Sequence, residues 1–411
     1  MMNKTLSRLG PGMMLTAIAV GVSHLVQSTR AGADYGLSFV WFITLIVVLK
    51  YPAFRFAVDY ASATGRSLVS GYANISRLAL GWLAVAFFVD MFIASGAVAL
   101  VTAGLIISVF DIPFSAPQVA VAMLVASALI LLNGHYAKAE RIVKILVVAF
   151  SILSVVATLF ALPKLGSDGR ALFAAITPTR SLAVFVIAVA GWMPMPMTGT
   201  IFQSMWLCEK RRGGQGEFNY QRALSDLRLG YSLTLVLALC FLVMGTAVLF
   251  QTGRVVPDHA GAFATELLRI FTSVIGDWTY PLIAAASLAV MWSTQITLLD
   301  ALPRVTDRLL GIITGRPADA PRRYTRFLLI QVAGVSLILL FMMRGFGDFI
   351  DFATSTGFIA APALAYYNYK AVTSKDIGSA YRPGRGLVIW NWISVVTLAT
   401  IAISYVFLRL Q

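Results

Sequence analysis

Two short stretches of an otherwise apolar chain carry most of the polar side chains that could do chemistry. One is Gly21-Val22-Ser23-His24, followed within two turns by Gln27, Ser28, Thr29 and Arg30. The other runs from Gly191 to Ser204 and reads G-W-M-P-M-P-M-T-G-T-I-F-Q-S. Ser23, His24, Gln27, Thr198 and Gln203 offer hydrogen bonds to a small solute. Broken-helix N-termini beside them favour an anion or a carboxylate-bearing solute. Asp90 stands alone in an apolar run, where an intramembrane acid marks a functional site by default and can exchange protons. Arg326 is a candidate charge partner for it. No nucleophile, base and orienting group come together, and no cofactor motif is present, so the chain does not read as an enzyme.

Each of these residues also has a plainer reading. His24 would serve as a core histidine bonded to a neighbouring helix, and Arg30 would snorkel to the outer interface. Met193, Met195 and Met197 alternate with prolines rather than forming a helical stripe, which fits a cavity wall. Asp34, Asp59, Asp348 and Asp351 lie near span ends and read as solvated. Trp292, Ser293, Thr294 and Gln295 would either line a cavity or tie helices together.

The elements that hold these residues are set by composition. The chain has 411 residues, 59% hydrophobic and 12% charged, with mean hydropathy +0.82. A soluble domain averages about 25% charged residues. The apolar runs are too long for β-barrel strands. An all-α integral membrane protein follows, with the lipid bilayer as its surroundings. Eleven spans of about 20 residues fall near 11–30, 37–58, 79–107, 117–133, 142–162, 181–206, 229–250, 279–300, 327–343, 347–369 and 387–408, and 258–275 reads as an amphipathic helix outside the membrane. Lys4, Arg8 and Ala17-Ile18-Ala19 mimic a signal peptide, but the apolar run continues past that point, so cleavage is not expected. Cys208 and Cys240 form no metal pattern and no disulfide framework.

Net charge is +14. Placing the N-terminus in the cytoplasm gathers Lys50, Arg55, Lys138, Arg141, Lys210, Arg211, Arg304, Arg322, Arg323, Lys370 and most other basic residues on the inside. That asymmetry sets the N-terminus in and the C-terminus out, in an inner (plasma) membrane, and it explains the charge without nucleic acid. An unpaired polar group in hydrocarbon costs several kcal/mol, so the polar stretches of spans 1 and 6 predict breaks near Val22–His24 and Met193–Met197. Dividing eleven spans as five, five and one makes the two broken spans the first of each unit, and an odd count inverts the second unit. The chain is then one transmembrane domain, 1–411, with repeats of about 11–162 and 181–369 and an extra helix at about 387–408. This is the LeuT-like inverted repeat, with its site between the breaks.

Several motifs then line up. Gly10-Pro11-Gly12, Arg30-Ala31-Gly32-Ala33-Asp34-Tyr35-Gly36 and Trp41 match a first-span frame of G-P-x, Q-A-G-x-x-F-G and Trp. Asp90 precedes Gly96 by six, Ala139-Glu140-Arg141 enters span 5, and Arg322-Arg323-Tyr324-Thr325-Arg326 begins span 9. In the ungapped fit Met195-Pro196-Met197-Thr198 stands where M-P-H-N is usual, and Met193-Pro194 serves with a two-residue slip. The chain resembles the NRAMP family, the natural resistance-associated macrophage proteins. The resemblance implies a proton-coupled secondary transporter of divalent metal ions, working by alternating access. It places substrate-binding positions at Gly21, Ser23, His24, Gln27, Trp192, Met195, Thr198 and Thr354, and a proton pathway at Asp90, Arg323 and Arg326. The family's D-P-G-N ligand motif falls on Gly21-Val22-Ser23-His24. A metal would then rely on His24 and Met195, which suit a soft ion and serve Mg, Ca or Mn poorly. A different cargo on the same fold, a small anion or carboxylate-bearing solute, is the competing expectation.

Overall fold

A computed structural model of the chain describes residues 15–16, 18–133, 136–166, 171–212, 219–315, 321–343 and 345–410. The frame Gly10-Pro11-Gly12 lies outside the described residues. Residues 15, 16, 18 and 19 are helical, residues 20 and 21 form a turn, and Ser23–Ser28 winds as a wide π-helix. It runs into α1 (Thr29–Tyr35). Then come α2 (Val40–Thr64), the short α3 (Leu68–Ile75), and α4 (Arg77–Val89), which is joined to α5 (Ser95–Phe110) by a π-turn over Asp90–Ala94. Next are α6 (Ala116–Leu132), α7 (Tyr136–Ala161), α8 (Arg180–Trp192), α9 (Gly199–Arg212) and α10 (Tyr220–Gly245). The rest of the chain forms α11 (Ala260–Ile275), α12 (Tyr280–Thr314), α13 (Pro321–Leu337), α14 (Phe346–Ile359), α15 (Ala361–Val372) and α16 (Arg385–Leu410). No β-strand occurs among the described residues beyond one isolated bridge, Gly36 to Phe173.

Among the described residues seven helices are long and apolar enough to cross a membrane. With the short α6, the broken spans 1 and 6, and span 10, they occupy the eleven expected stretches. Span 10 carries a feature the sequence reading missed, because it divides at Ala360, just before Pro362. A proline has no N–H to donate and its ring crowds the preceding turn, which is sufficient cause. The expected amphipathic helix is α11, which buries Phe263, Leu267 and Phe271 and packs on α5.

Outward faces carry large exposed apolar side chains such as Trp41, Phe88, Phe341 and Phe407, as a lipid-facing surface should. Inside, the apolar residues form two clusters. One gathers around Phe54, Tyr72 and Leu364, the other around Leu100, Phe150 and Phe271. Met195 belongs to the first and Trp192 to the second, so the break in span 6 lies on the seam between them.

Close helix approach fixes the C-terminal half of span 1. A Cβ on Gly32 would lie 2.1 Å from the Leu242 carbonyl oxygen, and one on Gly245 would lie 2.4 Å from that of Thr29. Small residues on both partners let α1 and α10 cross backbone to backbone.

Candidate functional site

The break in span 6 is wide. Helix α8 stops at Trp192, Met193 is extended, and regular helix resumes at Gly199. Two prolines, Pro194 and Pro196, remove N–H donors from this stretch and forbid an ordinary helix. The break in span 1 is smaller and lies earlier than expected. The turn is at Val20–Gly21, and the chain is helical again from Val22, so Val22–His24 is wound rather than open. The π-winding of Ser23–Ser28 is a device common at functional sites.

The two breaks meet at Ser23. Its hydroxyl lies 2.8 Å from the Ala19 carbonyl oxygen in span 1 and 3.3 Å from that of Pro194 in span 6. Beside this contact is a cavity of about 40 Å³, lined in part by Ser23, Asp90, Trp192, Met195, Thr198 and Thr294. A cavity needs about 10–15 Å³ to hold one water, so this one has room for a few waters or one small ion. A larger hollow of about 290 Å³ lies between α7 and α10. Its walls are Val and Ile with only Thr16 and Ser151 polar, and Ile152 is 59% exposed, so it faces outward as an apolar groove.

Asp90 is the one charged side chain on the wall of the small cavity. It opens the π-turn between α4 and α5, is 5% exposed, and accepts a 2.5 Å hydrogen bond from the Thr198 hydroxyl in the break of span 6. Arg326, its expected partner, is exposed and makes no ion pair with it. Arg323 instead pairs with Asp307 at 2.6 Å. The expected proton-pathway trio is therefore not one cluster, and Asp90 belongs to the cavity.

The remaining expected site residues divide into three groups. Ser23, Trp192, Met195 and Thr198 line the cavity. Gly21 does so only indirectly, since a Cβ there would meet the Thr294 methyl at 3.7 Å. His24 does not line the cavity. It is fully buried, with Nε2 2.9 Å from the Thr234 carbonyl oxygen in α10 and Nδ1 2.9 Å from the Ser23 hydroxyl. Both ring nitrogens are engaged, so ligation by His24 would require breaking one of these bonds. Gln27 and Thr354 belong to a separate network with Arg30 and Asp351. The Gln27 amide donates to Asp351 and Thr354 at 3.1 Å each, and Arg30 makes two hydrogen bonds to Asp351 at 2.7 and 3.1 Å while lying over the Phe185 ring.

Three acidic or basic residues differ from their expected surroundings. Asp351, expected in solvent, is paired with Arg30. Asp59, likewise expected in solvent, is fully buried, accepts a hydrogen bond from the Tyr220 hydroxyl at 2.7 Å and lies 3.5 Å from Arg55. Lys50, counted among the inside charges, is fully buried in α2 and donates to the carbonyl oxygens of Gly191 at 2.8 Å and Met195 at 3.3 Å. Its place in the middle of an apolar run was the available signal, because an ionisable residue within a span is functional by default.

As a metal site the arrangement is sparse. Among the described residues no three His, Cys, Asp or Glu side chains gather. What the cavity offers is one carboxylate, one thioether, a few hydroxyls and the carbonyls of an unwound segment.

Comparison with known proteins fits this geometry. Several solved structures share the fold. A manganese transporter of Eremococcus coleocola, solved as a mutant, superposes with a TM-score of 0.70 at 15% identity, covering 97% of this chain and 85% of that one. The same transporter in complex with an aromatic bis-isothiourea compound gives 0.67 at 15% identity, with the same coverage. Mhp1, a nucleobase-cation-symport-1 family transporter closed around bromovinylhydantoin, gives 0.60 at 12% identity, covering 97% of this chain and 90% of that one. In sequence, the uncharacterized protein PM0681 of Pasteurella multocida (strain Pm70) is 30% identical over 370 residues, 89% of this chain and 84% of that protein. The family model for natural resistance-associated macrophage protein-like (Nramp) proteins matches residues 12–408. With the broken first and sixth spans, this places the chain in the Nramp family of integral membrane proteins.

Proposed function

We propose that this protein carries a divalent transition-metal ion across the membrane by alternating access around the breaks in spans 1 and 6, with protons as the coupling ion. The supporting observation is the cavity at the seam, where Asp90 is the sole charged lining residue and Met195 supplies sulfur. The carboxylate missing from Gly21 is supplied from span 3. A carboxylate with a thioether suits Mn, Fe or a softer ion better than Mg or Ca, whose all-oxygen shells the cavity cannot complete. The thin donor set suits a cargo, which must bind and then leave. An anionic solute would meet the Asp90 carboxylate on the cavity wall.

In this reading Asp90 both faces the cargo and exchanges the proton, with Thr198 holding its carboxylate across to the break. The N-terminus is cytoplasmic and the C-terminus outside, by the asymmetry of Lys and Arg, in an inner (plasma) membrane. The two five-span units are related as inverted repeats, followed by α16. The related Eremococcus coleocola structures are of a manganese transporter, which makes Mn the first ion to try.

Uptake of Mn into proteoliposomes by wild type, Asp90→Asn and Met195→Leu tests the proposal, with Mg and a panel of small anions alongside. Saturable Mn uptake is expected, lost in Asp90→Asn and weakened in Met195→Leu. Losing a unit charge about 4 Å from a dication costs on the order of 8 kcal/mol at intermediate dielectric, twice the value for a unit pair. Saturable anion uptake with no metal transport would overturn the proposal.

A further inference from the structure

The Gly191 and Met195 carbonyl oxygens flank the place where α8 ends inside the protein. A helix C-terminus carries partial negative charge and leaves its last carbonyls without partners. In water such carbonyls are hydrated; in hydrocarbon they need a donor from the protein. Lys50 reaches them from α2, 2.8 and 3.3 Å away, and is itself fully buried. Among the described residues it makes no ion pair with a carboxylate, and these carbonyls at the helix end are what its amino group meets.

Capping two carbonyls does not require a charge. A glutamine or serine would donate hydrogen bonds without the cost of placing an ionisable amine at membrane depth. The unwound carbonyls of a broken span are also where transporters of this architecture coordinate a cation. We propose that the carbonyl end of α8 is a cation-binding site that the chain fills itself, with the protonated Lys50 side chain as its occupant. The ligand class is a monovalent, hydrogen-bond-donating cation of the alkylammonium type. An inorganic monovalent ion then has no place at this break in the wild-type protein, and changing Na for K should leave its stability unaltered.

Truncation gives the test, because Lys50→Ala removes the atoms of n-propylammonium. The readout is thermal unfolding of the purified full-length protein, which needs no assumption about cargo. Ligand binding stabilises the folded state by mass action. Lys50→Ala should melt below wild type and regain about 2–4 °C with n-propylammonium chloride, against choline chloride at equal ionic strength. The wild type should not respond, and n-propanol should not substitute for the cation. Lys50→Gln, which keeps N–H donors and drops the charge, should also melt below wild type. Equal rescue by propanol and propylammonium, or no rescue of a folded Lys50→Ala, would show that only space was filled. If Lys50→Ala does not fold, the comparison of Lys50→Gln with wild type decides, and equal melting overturns the proposal.

Discussion

Span 1 turns at Val20–Gly21 and is helical again one residue later, whereas span 6 leaves six residues, Met193–Thr198, outside regular helix. The first interruption is local. The neighbouring Ser23 hydroxyl bonds back to Ala19, and no charged group is recruited. The second is imposed by two prolines and held from a distance by Lys50 on α2, Thr354 on α14 and Asp90 before α5. A short break can be satisfied by its own turn. A wide one exposes more backbone than its own side chains can cover, so it depends on tertiary partners. The cavity beside it accordingly draws its charge from a helix outside either broken span.

This contrast can be broken by mutation, beginning with Gly191. A Cβ there would lie 1.8 Å from the Thr354 carbonyl oxygen, a backbone atom that cannot step aside. Gly191→Ala should separate α8 from α14 and sharply reduce the yield of folded protein, read by size-exclusion chromatography and thermal unfolding. An effect of several kcal/mol is exceptional for one methyl group and is diagnostic of overpacking. If Gly191→Ala melts like wild type, the wide break is less tightly held than described.

The Arg30–Asp351 pair ties the C-terminal half of span 1 to α14 and should rank next. Asp351→Asn leaves a largely buried guanidinium with weaker acceptors, and about 1–3 kcal/mol of stability should be lost. Both side chains are mostly buried, so the loss should survive added salt, in contrast to a surface pair. Thermal unfolding at low and high NaCl checks both points.

His24→Leu removes the donor to the Thr234 carbonyl and should cost about 1–3 kcal/mol. Its effect on Mn affinity, measured by calorimetry, should be small, because the ring does not reach the cavity. A large loss of affinity with unchanged stability would return His24 to the cargo site. The smallest effect belongs to Gly21→Ala. Its Cβ would meet the Ile18 carbonyl oxygen at 3.4 Å and the Thr294 methyl at 3.7 Å, which is ordinary contact. Melting within about 0.5 kcal/mol of wild type is expected, as for an unstrained substitution.

Much of the architecture could be read from apolar run length, since spans must be helical and about 20 residues long in hydrocarbon. Prolines at 194 and 196 announced the break in span 6 by local chemistry alone. The break in span 1 was displaced because Ser23 and His24 satisfy their polar groups sideways, to Ala19, Pro194 and Thr234, without unwinding. Lys50 and Asp351 were misplaced for a related reason. Their partners are 141 and 321 residues away in sequence, and a charge count treats each basic or acidic residue as if it faced water. Asp90 was recognised as functional, but its π-turn and its bond to Thr198 depend on packing that no periodicity reveals.

The reciprocal glycine crossing of α1 with α10 has a mechanical consequence. Atoms that touch backbone to backbone have no side chain to flex between them, so α1 and α10 form one rigid lever. A swing within span 1 would then pivot at the Val20–Gly21 turn. Spectroscopic labels near Tyr35 and near Gly245 should keep a constant separation in every state of the protein, while a label at residue 18 reports the motion.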